Sequence, residues 1–316
     1  MGGQPVTATL VNAEEAPPSP KLGRRRAGGA RRPPWLLALL GIVLLVTMHF
    51  AAPLIGAVYA FTNWDGVGAP DFIGLDNFRE IIGSPVQRGA LLHTFLLAGC
   101  FVVLVNVAGL GLALALNRTL KSRNVMRTVF FAPVVLSPLA VTYIWQYIFT
   151  YDGALNRAFD SLGLESWRHE WLGDPNTAIW TVLVVMVWQY SGQAMIIYLA
   201  GLQGVADELE EAAMIDGAGL WMRLRRIILP LLAPASTVVS TLMLILGLRV
   251  FDQVFALTSG GPVYTTETLA TQVYDQTFVV GRFGFGAAIA LVMTVLISVL
   301  GIANLMFQRR RERRLS

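Results

Sequence analysis

Residues 211–230 read EAAMIDGAGLWMRLRRIILP, a polar, charge-rich stretch lying between hydrophobic runs that are each long enough to cross a bilayer. Its residue types come in a fixed order: Glu211, Ala212 and Ala213, then Gly217, Ile227, and Leu229 with Pro230 at the close. Val205 to Asp216 suits a short helix in which two alanines let another backbone approach closely. Gly217 is free to take a positive φ at its end. Ala218 to Ile228 then restarts a helix, and Pro230 is expected to open a further one, because proline is tolerated in a first turn that has no use for its missing N–H. Charge is sorted along the stretch, with Asp207, Glu208, Glu210 and Glu211 first and Arg223, Arg225 and Arg226 after. That order suits a segment that docks into a protein cleft better than one that is merely solvated.

The surroundings of this loop set the fold class. Of 316 residues, 55% are hydrophobic and only 14% charged, more apolar than a soluble core of this size would be. Six stretches of at least 22 residues contain no Asp, Glu, Lys or Arg: 35–61, 89–117, 128–151, 175–206, 227–248 and 283–308. About 20 apolar residues span the hydrocarbon core, so each predicts a membrane-spanning helix. With the N-terminus inside, the inner segments 1–34, 118–127, 201–229 and 308–316 hold 18 Lys and Arg, and the outer loops hold five. The positive-inside rule therefore puts both ends and the 205–230 loop on the cytoplasmic face.

The chain divides into a basic tail over 1–34, a first span and outer loop over 35–88, a core over 89–308, and a second basic tail over 309–316. Proline, glycine and the blocks Arg24-Arg25-Arg26 and Arg31-Arg32 make the first tail a candidate for disorder. The apolar run after it is too long for a signal-peptide core, so the first span is expected to be retained. The Arg309–Arg314 block follows a span directly, which fits a stop signal and anionic-lipid anchor rather than nucleic-acid binding. Cys100, the single cysteine, falls within the second span, so no intrachain disulfide is expected. His49, His93 and His169 are scattered, with no ligand spacing for a metal.

The Glu-Ala-Ala…Gly…Ile-x-Leu-Pro order resembles the EAA loop of importer-type ABC permeases. Phe251-Asp252, the run Leu257-Thr258-Ser259-Gly260-Gly261-Pro262, and Thr266-Glu267-Thr268-Leu269 resemble the FD, LTxGGP and TxTL pattern of carbohydrate-type permeases. That subgroup holds the larger maltose-type and glycerol-phosphate-type subunits. Phe72-Ile73-Gly74-Leu75-Asp76-Asn77-Phe78 is similar to a further signature of the same group. The large folded insertion that some maltose permeases carry after early helices is absent.

The resemblance implies an all-α polytopic protein of the type I importer permease fold, with six transmembrane helices in a prokaryotic cytoplasmic membrane. It implies no enzyme activity in this chain. ATP would be hydrolysed by two partner ATP-binding subunits that dock on the loop Glu211, Ala212, Ala213, Gly217, Ile227, Leu229 and Pro230. A second permease and an extracytoplasmic solute-binding protein would complete the importer. No Gly-x4-Gly-Lys-Ser/Thr loop occurs, so the chain itself is expected to bind no nucleotide or other cofactor.

Candidates for the solute path are fewer. Arg249 and Asp252, three apart, would share one face of the fifth helix. Two roles stand for them, an ion pair anchoring helix packing or a wall of the path. Gln189, Tyr190 and Gln193 in the fourth span, with Tyr143 and Gln146 in the third, carry groups that bond either sugar hydroxyls or neighbouring helices. Gly260, Gly261 and Pro262 mark an outer turn that is either a plain connection or a shaped mouth. A secondary transporter would call for repeats and intramembrane ion sites, and a membrane enzyme for clustered His, Asp or Glu; neither pattern is present. Permeases for polyol phosphates, amino acids or peptides are the remaining alternatives.

Overall fold

The computed structural model describes Gly2 and residues 35–117 and 121–315. The expected tail over 1–34 lies outside the described residues except for Gly2. Contacts divide the chain into two units at Ala51. The first contains α1 (Trp35–Val46) and a π turn, Thr47–Ala51.

The second unit is a helical bundle. Its elements are α2 (Ala52–Tyr59), α3 (Asp76–Gly83), α4 (Pro85–Leu116), α5 (Arg123–Val135), α6 (Pro138–Phe149), α7 (Ala154–Ser161), α8 (Ala178–Leu202), α9 (Asp207–Ile215), α10 (Leu220–Arg223), α11 (Leu229–Leu231), α12 (Ala233–Leu248), α13 (Asp252–Thr258), α14 (Leu269–Tyr274) and α15 (Phe283–Leu315). No strand occurs among the described residues, only an isolated bridge between Thr62 and Phe72.

Four helical stretches are long and apolar enough to cross a membrane: Ala38–Tyr59, Pro85–Leu116, Ala178–Leu202 and Phe283–Arg310. They coincide with four of the six charge-free stretches. The other two are corrected, since each is two helices rather than one. The third stretch bends by 100° between α5 and α6, and the fifth by 72° between the Leu220–Leu231 segment and α12. Both breaks have a proline cause. Leu136 and Ser137 take extended ψ values of 143° and 134° ahead of Pro138, as the residue before a proline is pushed to do. Pro234 sits in the first turn of α12, after Leu232 has closed the preceding helix. Pro230 therefore does not open the new helix; it lies inside the short α11, directly after the π turn Leu224–Ile228. By length and composition the chain carries four spans, or up to six if each bent pair is counted as one.

α8 is the centre of the bundle. More than half of its apolar window is buried, and it packs most extensively against α4 and then α5, while α4 also packs along α12. Lipid tails are as apolar as leucine, so helices in a bilayer adhere through close backbone approach at small residues rather than by escape from water. Three glycines do this here. A Cβ on Gly247 would stand 2.8 Å from Ala98 Cα, one on Gly109 would stand 3.0 Å from the Met195 nitrogen, and one on Gly192 would stand 2.7 Å from the Phe130 carbonyl carbon. Phe101, Val105, Val182, Met186, Met195 and Met243 fill the space between these contacts.

A smaller apolar cluster of Ala60, Ile81, Leu269, Phe285, Ala288 and Ile289 joins α2, α3, α14 and α15. The Phe72–Phe78 signature has a mechanical role beside it. Asn77, buried, donates from Nδ2 to the carbonyls of Ala60 and Thr62, both at 2.9 Å, and so satisfies the end of α2. In the 150–177 connection Asn156 acts similarly. It donates to the Tyr151 and His169 carbonyls and accepts from Trp171 Nε1 at 2.9 Å.

Candidate functional site

The 205–230 loop is built as its sequence predicts up to Gly217. α9 ends at Ile215, Asp216 caps it, and Gly217 takes φ +77°. The Ala218 N–H bonds the Ala213 carbonyl at 2.9 Å and the Gly217 N–H bonds Met214 at 3.1 Å. Those are the two bonds of a Schellman stop, which needs a left-handed residue at this position. A Cβ on Gly217 would meet nothing within 4 Å, so backbone conformation alone calls for glycine.

Glu211 and Ala212 are exposed and Ala213 is half-buried. Glu211 has no hydrogen-bond or ion-pair partner among the described residues. Around it Met214, Ile215, Leu220, Trp221 and Met222 are exposed, Ile215 to 87%. The segment thus presents an apolar surface and a carboxylate, and neither is covered or paired among the described residues. Ile227 is half-buried, Leu229 is exposed, Pro230 is half-buried and the adjoining Ile228 is buried, so the far end of the loop is held against the bundle.

The polar residues proposed from the fourth span separate. Gln189 is buried, and its Oε1 accepts from Gln253 Nε2 at 3.1 Å; Gln253 is itself buried on α13. Gln189 Nε2 faces the Leu136 carbonyl freed by the α5–α6 break, at 3.5 Å. Tyr190 packs edge-on against Phe101, with ring centroids 5.7 Å apart. Gln193 is half-buried and makes no side-chain hydrogen bond among the described residues. Tyr143 is exposed, and Gln146 lines a cleft shared with Thr150, Glu170 and the 257–262 turn.

Removing Gln253 leaves a buried amide oxygen without its donor, which costs about 1–3 kcal/mol. Gln253→Leu is therefore expected to lower thermal stability in detergent. Adding Gln189→Leu should recover part of the loss, because both partners are then apolar. A double variant less stable than Gln253→Leu alone would contradict this account.

The expected sharing of one helix face by Arg249 and Asp252 is not found. α12 stops at Leu248, Arg249 caps it, Phe251 takes φ −129° and ψ −62°, and Asp252 starts α13. Both side chains are exposed, and no ion pair joins them among the described residues.

The break is instead held by the segment that follows. Thr268 Oγ1 donates to the Val250 carbonyl at 3.1 Å, and the Leu269 N–H donates to Thr94 Oγ1 of α4 at 2.9 Å. Thr268 and Thr271 also form a reciprocal cap on α14. Ahead of it, Ser259, Gly260, Val263 and Tyr264 all take positive φ. The Thr266 hydroxyl bonds the Gly261 carbonyl at 2.6 Å and meets the Thr258 hydroxyl at 2.8 Å. Gly260, Gly261 and Pro262 thus belong to a compact polar knot, tied to α4 and to the α12–α13 break.

Glu267, quoted in the sequence only as part of a signature, lies at the centre of that knot. It is 3% exposed and accepts from Thr271 Oγ1 at 2.6 Å, and its backbone carbonyl meets His93 Nδ1 at 3.1 Å. Burial pushes its carboxyl up from the ordinary value, and the neighbouring Asp275 adds to the rise. Burial raises Asp275 as well. Beside them Glu80 and Arg282 form a two-bond ion pair at 2.7 and 2.6 Å. The Arg282 hydrogen bond holds the Glu80 carboxyl below its ordinary value.

Residues 106–313 match the model of the family described as binding-protein-dependent transport system inner membrane component. The probable starch degradation products transport system permease protein AmyD of Thermoanaerobacterium thermosulfurigenes is 33% identical over 281 residues, 88% of this chain and 94% of that protein. The multiple sugar-binding transport system permease protein MsmF of Streptococcus mutans is 33% identical over 279 residues, 88% of this chain and 96% of its own length. Among solved structures, a bacterial ABC transporter involved in import of the acidic polysaccharide alginate contains a chain with the same fold. The TM-score is 0.76 at 24% identity, over 87% of this chain and 96% of that one.

Proposed function

Because this chain belongs to the family of binding-protein-dependent transport system inner membrane components, we propose that it is the non-hydrolytic, membrane-spanning permease subunit of an ATP-driven importer of sugars. Sugar specificity follows the two relatives, which are full-length matches named for sugar transport. The observation that supports the coupling role is the loop around Glu211, a structured helix-stop-helix whose carboxylate and apolar surface have no partner among the described residues.

In this reading each bent pair is one span, giving six, with both chain ends and the Glu211 loop in the cytoplasm of a prokaryotic cell. Two ATP-binding subunits dock on Glu211, Ala212, Ala213 and the turn at Gly217, with Ile227, Leu229 and Pro230 fixing that turn to the bundle. The chain binds no nucleotide. Closure of the ATPase dimer moves α9, and the 220–231 segment carries the motion into α12. A second permease supplies the other wall of the path, and an extracytoplasmic binding protein delivers solute to the opposite face, where the Gly260-Gly261-Pro262 turn lies. Gln189, Tyr190 and Gln193, with Arg249 and Asp252 at the α12–α13 break, are the proposed path residues. A helix break inside a span places polar backbone where only a cavity or packed protein can satisfy it.

Proteoliposomes holding both permeases and the ATPase subunits are expected to accumulate labelled maltose only with internal ATP and external binding protein. Accumulation without ATP would make the chain part of a secondary transporter, and an amino acid taken up in place of saccharides would overturn the solute class. A reporter fused after Arg314 should read cytoplasmic and one after Pro262 external. A cytoplasmic signal at Pro262 would remove a span and the mechanism with it.

A further inference from the structure

A cleft of about 410 Å³ lies between α3, α4 and the α14–α15 junction, walled by Ser84, Gln87, Tyr264, Gln272, Asp275 and Gln276 among others. Its wall is mixed: amides, hydroxyls, the Asp275 carboxyl and the Glu80–Arg282 ion pair stand beside Val86, Val279, Val280 and Phe285. α4, at 32 residues, is about 48 Å long. It exceeds a hydrocarbon core of about 30 Å, so its first turn, with Ser84 and Gln87, can stand clear of the lipid.

Gln272 stands beside the buried Glu267 carboxyl and presents its Oε1 to Gln87. Gln87 Nε2 donates to that oxygen. The last acceptor in the relay, Gln87 Oε1, has no donor among the described residues although Gln87 is 97% buried, its exposure being 3%. A buried acceptor of this kind is costly unless a hydroxyl or N–H reaches it. On the rim, the Gln276 side chain is half-buried and likewise makes no hydrogen bond among the described residues.

We propose that this cleft is an outer reception subsite for a polyhydroxyl solute, in which Gln87 Oε1 accepts a solute hydroxyl and the Gln276 amide bonds a second. Its identity as a saccharide subsite rests on the sugar-importer reading. The cleft shares no wall residue with the Gln189–Gln253 pair, and in this reading solute released by a binding protein is held here before the central path opens.

The test uses the full assembly of both permeases and ATPase subunits in nanodiscs, without binding protein, and saturation-transfer NMR with maltose and maltotriose as probes. Wild type is expected to transfer saturation to ring protons. Gln87→Leu is expected to weaken apparent binding about fivefold or more. Gln276→Ala, which leaves the buried relay intact, guards against a folding artefact and should also weaken binding. Loss in Gln87→Leu alone, with Gln276→Ala at the wild-type value and Gln87→Leu poorly assembled, would overturn the subsite. So would wild-type transfer retained in both variants, or no transfer in wild type. Uptake by wild type judges the importer reading separately: saccharide uptake with no variant effect leaves the importer and removes the subsite, whereas variant-sensitive transfer without uptake does the reverse.

Discussion

Gly192→Leu is expected to remove most correctly assembled protein from the membrane. Residue 192 lies on α8 against the backbone of α5, and a Cβ there would stand 2.7 Å from the Phe130 carbonyl carbon and 2.9 Å from Phe131 Cα. These are backbone atoms, so no side chain can swing away and α5 as a whole has to withdraw. Overpacking a well-filled core costs about 1–3 kcal/mol where side chains can yield, and here they cannot. Withdrawal also separates Leu136 at the end of α5 from Gln189, three residues along α8 from the substitution. Gly111→Ala is the matched control, since a Cβ at Gly111 meets nothing within 4 Å. Detergent extracts run by fluorescence-detected size exclusion should show the Gly111 variant at the wild-type level and the Gly192 variant aggregated or absent. A monodisperse Gly192→Leu peak of normal height would show that the α5–α8 approach is looser than the structure has it.

Much of the fold was legible because membrane helices carry a strong signal, the absence of charge over a fixed length. Residues 89–117, read from that absence alone, became a helix over 85–116, and 175–206 became one over 178–202. The same signal is blind to direction. Residues 128–151 are uniformly apolar, and only Ser137-Pro138 shows where the chain turns through 100°. Proline was read as a helix starter only at Pro230, where Ile228 and Leu229 ahead of it are already helical and the helix runs on; the prolines that do follow the breaks are Pro138 and Pro234.

Within the candidate site, local features were readable and distant pairings were not. Gly217 was assigned its left-handed conformation from its place after a short helix, and it has one. Arg249 and Asp252 were joined by an i, i+3 rule that holds only inside a continuous helix, and α12 ends between them. Gln189 meets Gln253, 64 residues away, and no local pattern marks that partner. Glu267 did carry a signal, a carboxylate inside a Thr-rich motif beside an apolar helix. Its burial follows only once Thr94, Thr268 and Thr271 are seen to surround the same turn.

Glu211→Lys is expected to abolish transport while leaving the chain folded in the membrane. Glu211 is exposed on α9, and no described residue pairs with it, so its replacement breaks no contact among the described residues. Its neighbours Ile215, Leu220 and Trp221 are exposed to 87%, 65% and 69%. When that surface is covered by an ATP-binding subunit, the carboxylate beside it passes out of water. It then requires a charged or N–H donor on the partner. Truncating one member of a buried charged pair at an interface costs about 2–5 kcal/mol, and reversing the charge adds repulsion. ATPase association should therefore weaken by roughly 30-fold or more, enough to leave the permease pair without its motor at cellular concentrations. The measurement is paired: the ratio of ATPase to permease in complexes purified through a tag on this chain, and sugar uptake by the same membranes. Both should collapse together while the amount of this chain in the membrane stays at the wild-type level. A variant that keeps the full ATPase ratio but loses uptake would move Glu211 from docking to transmission of the ATPase stroke. One that keeps both would show that the apolar surface alone holds the partner.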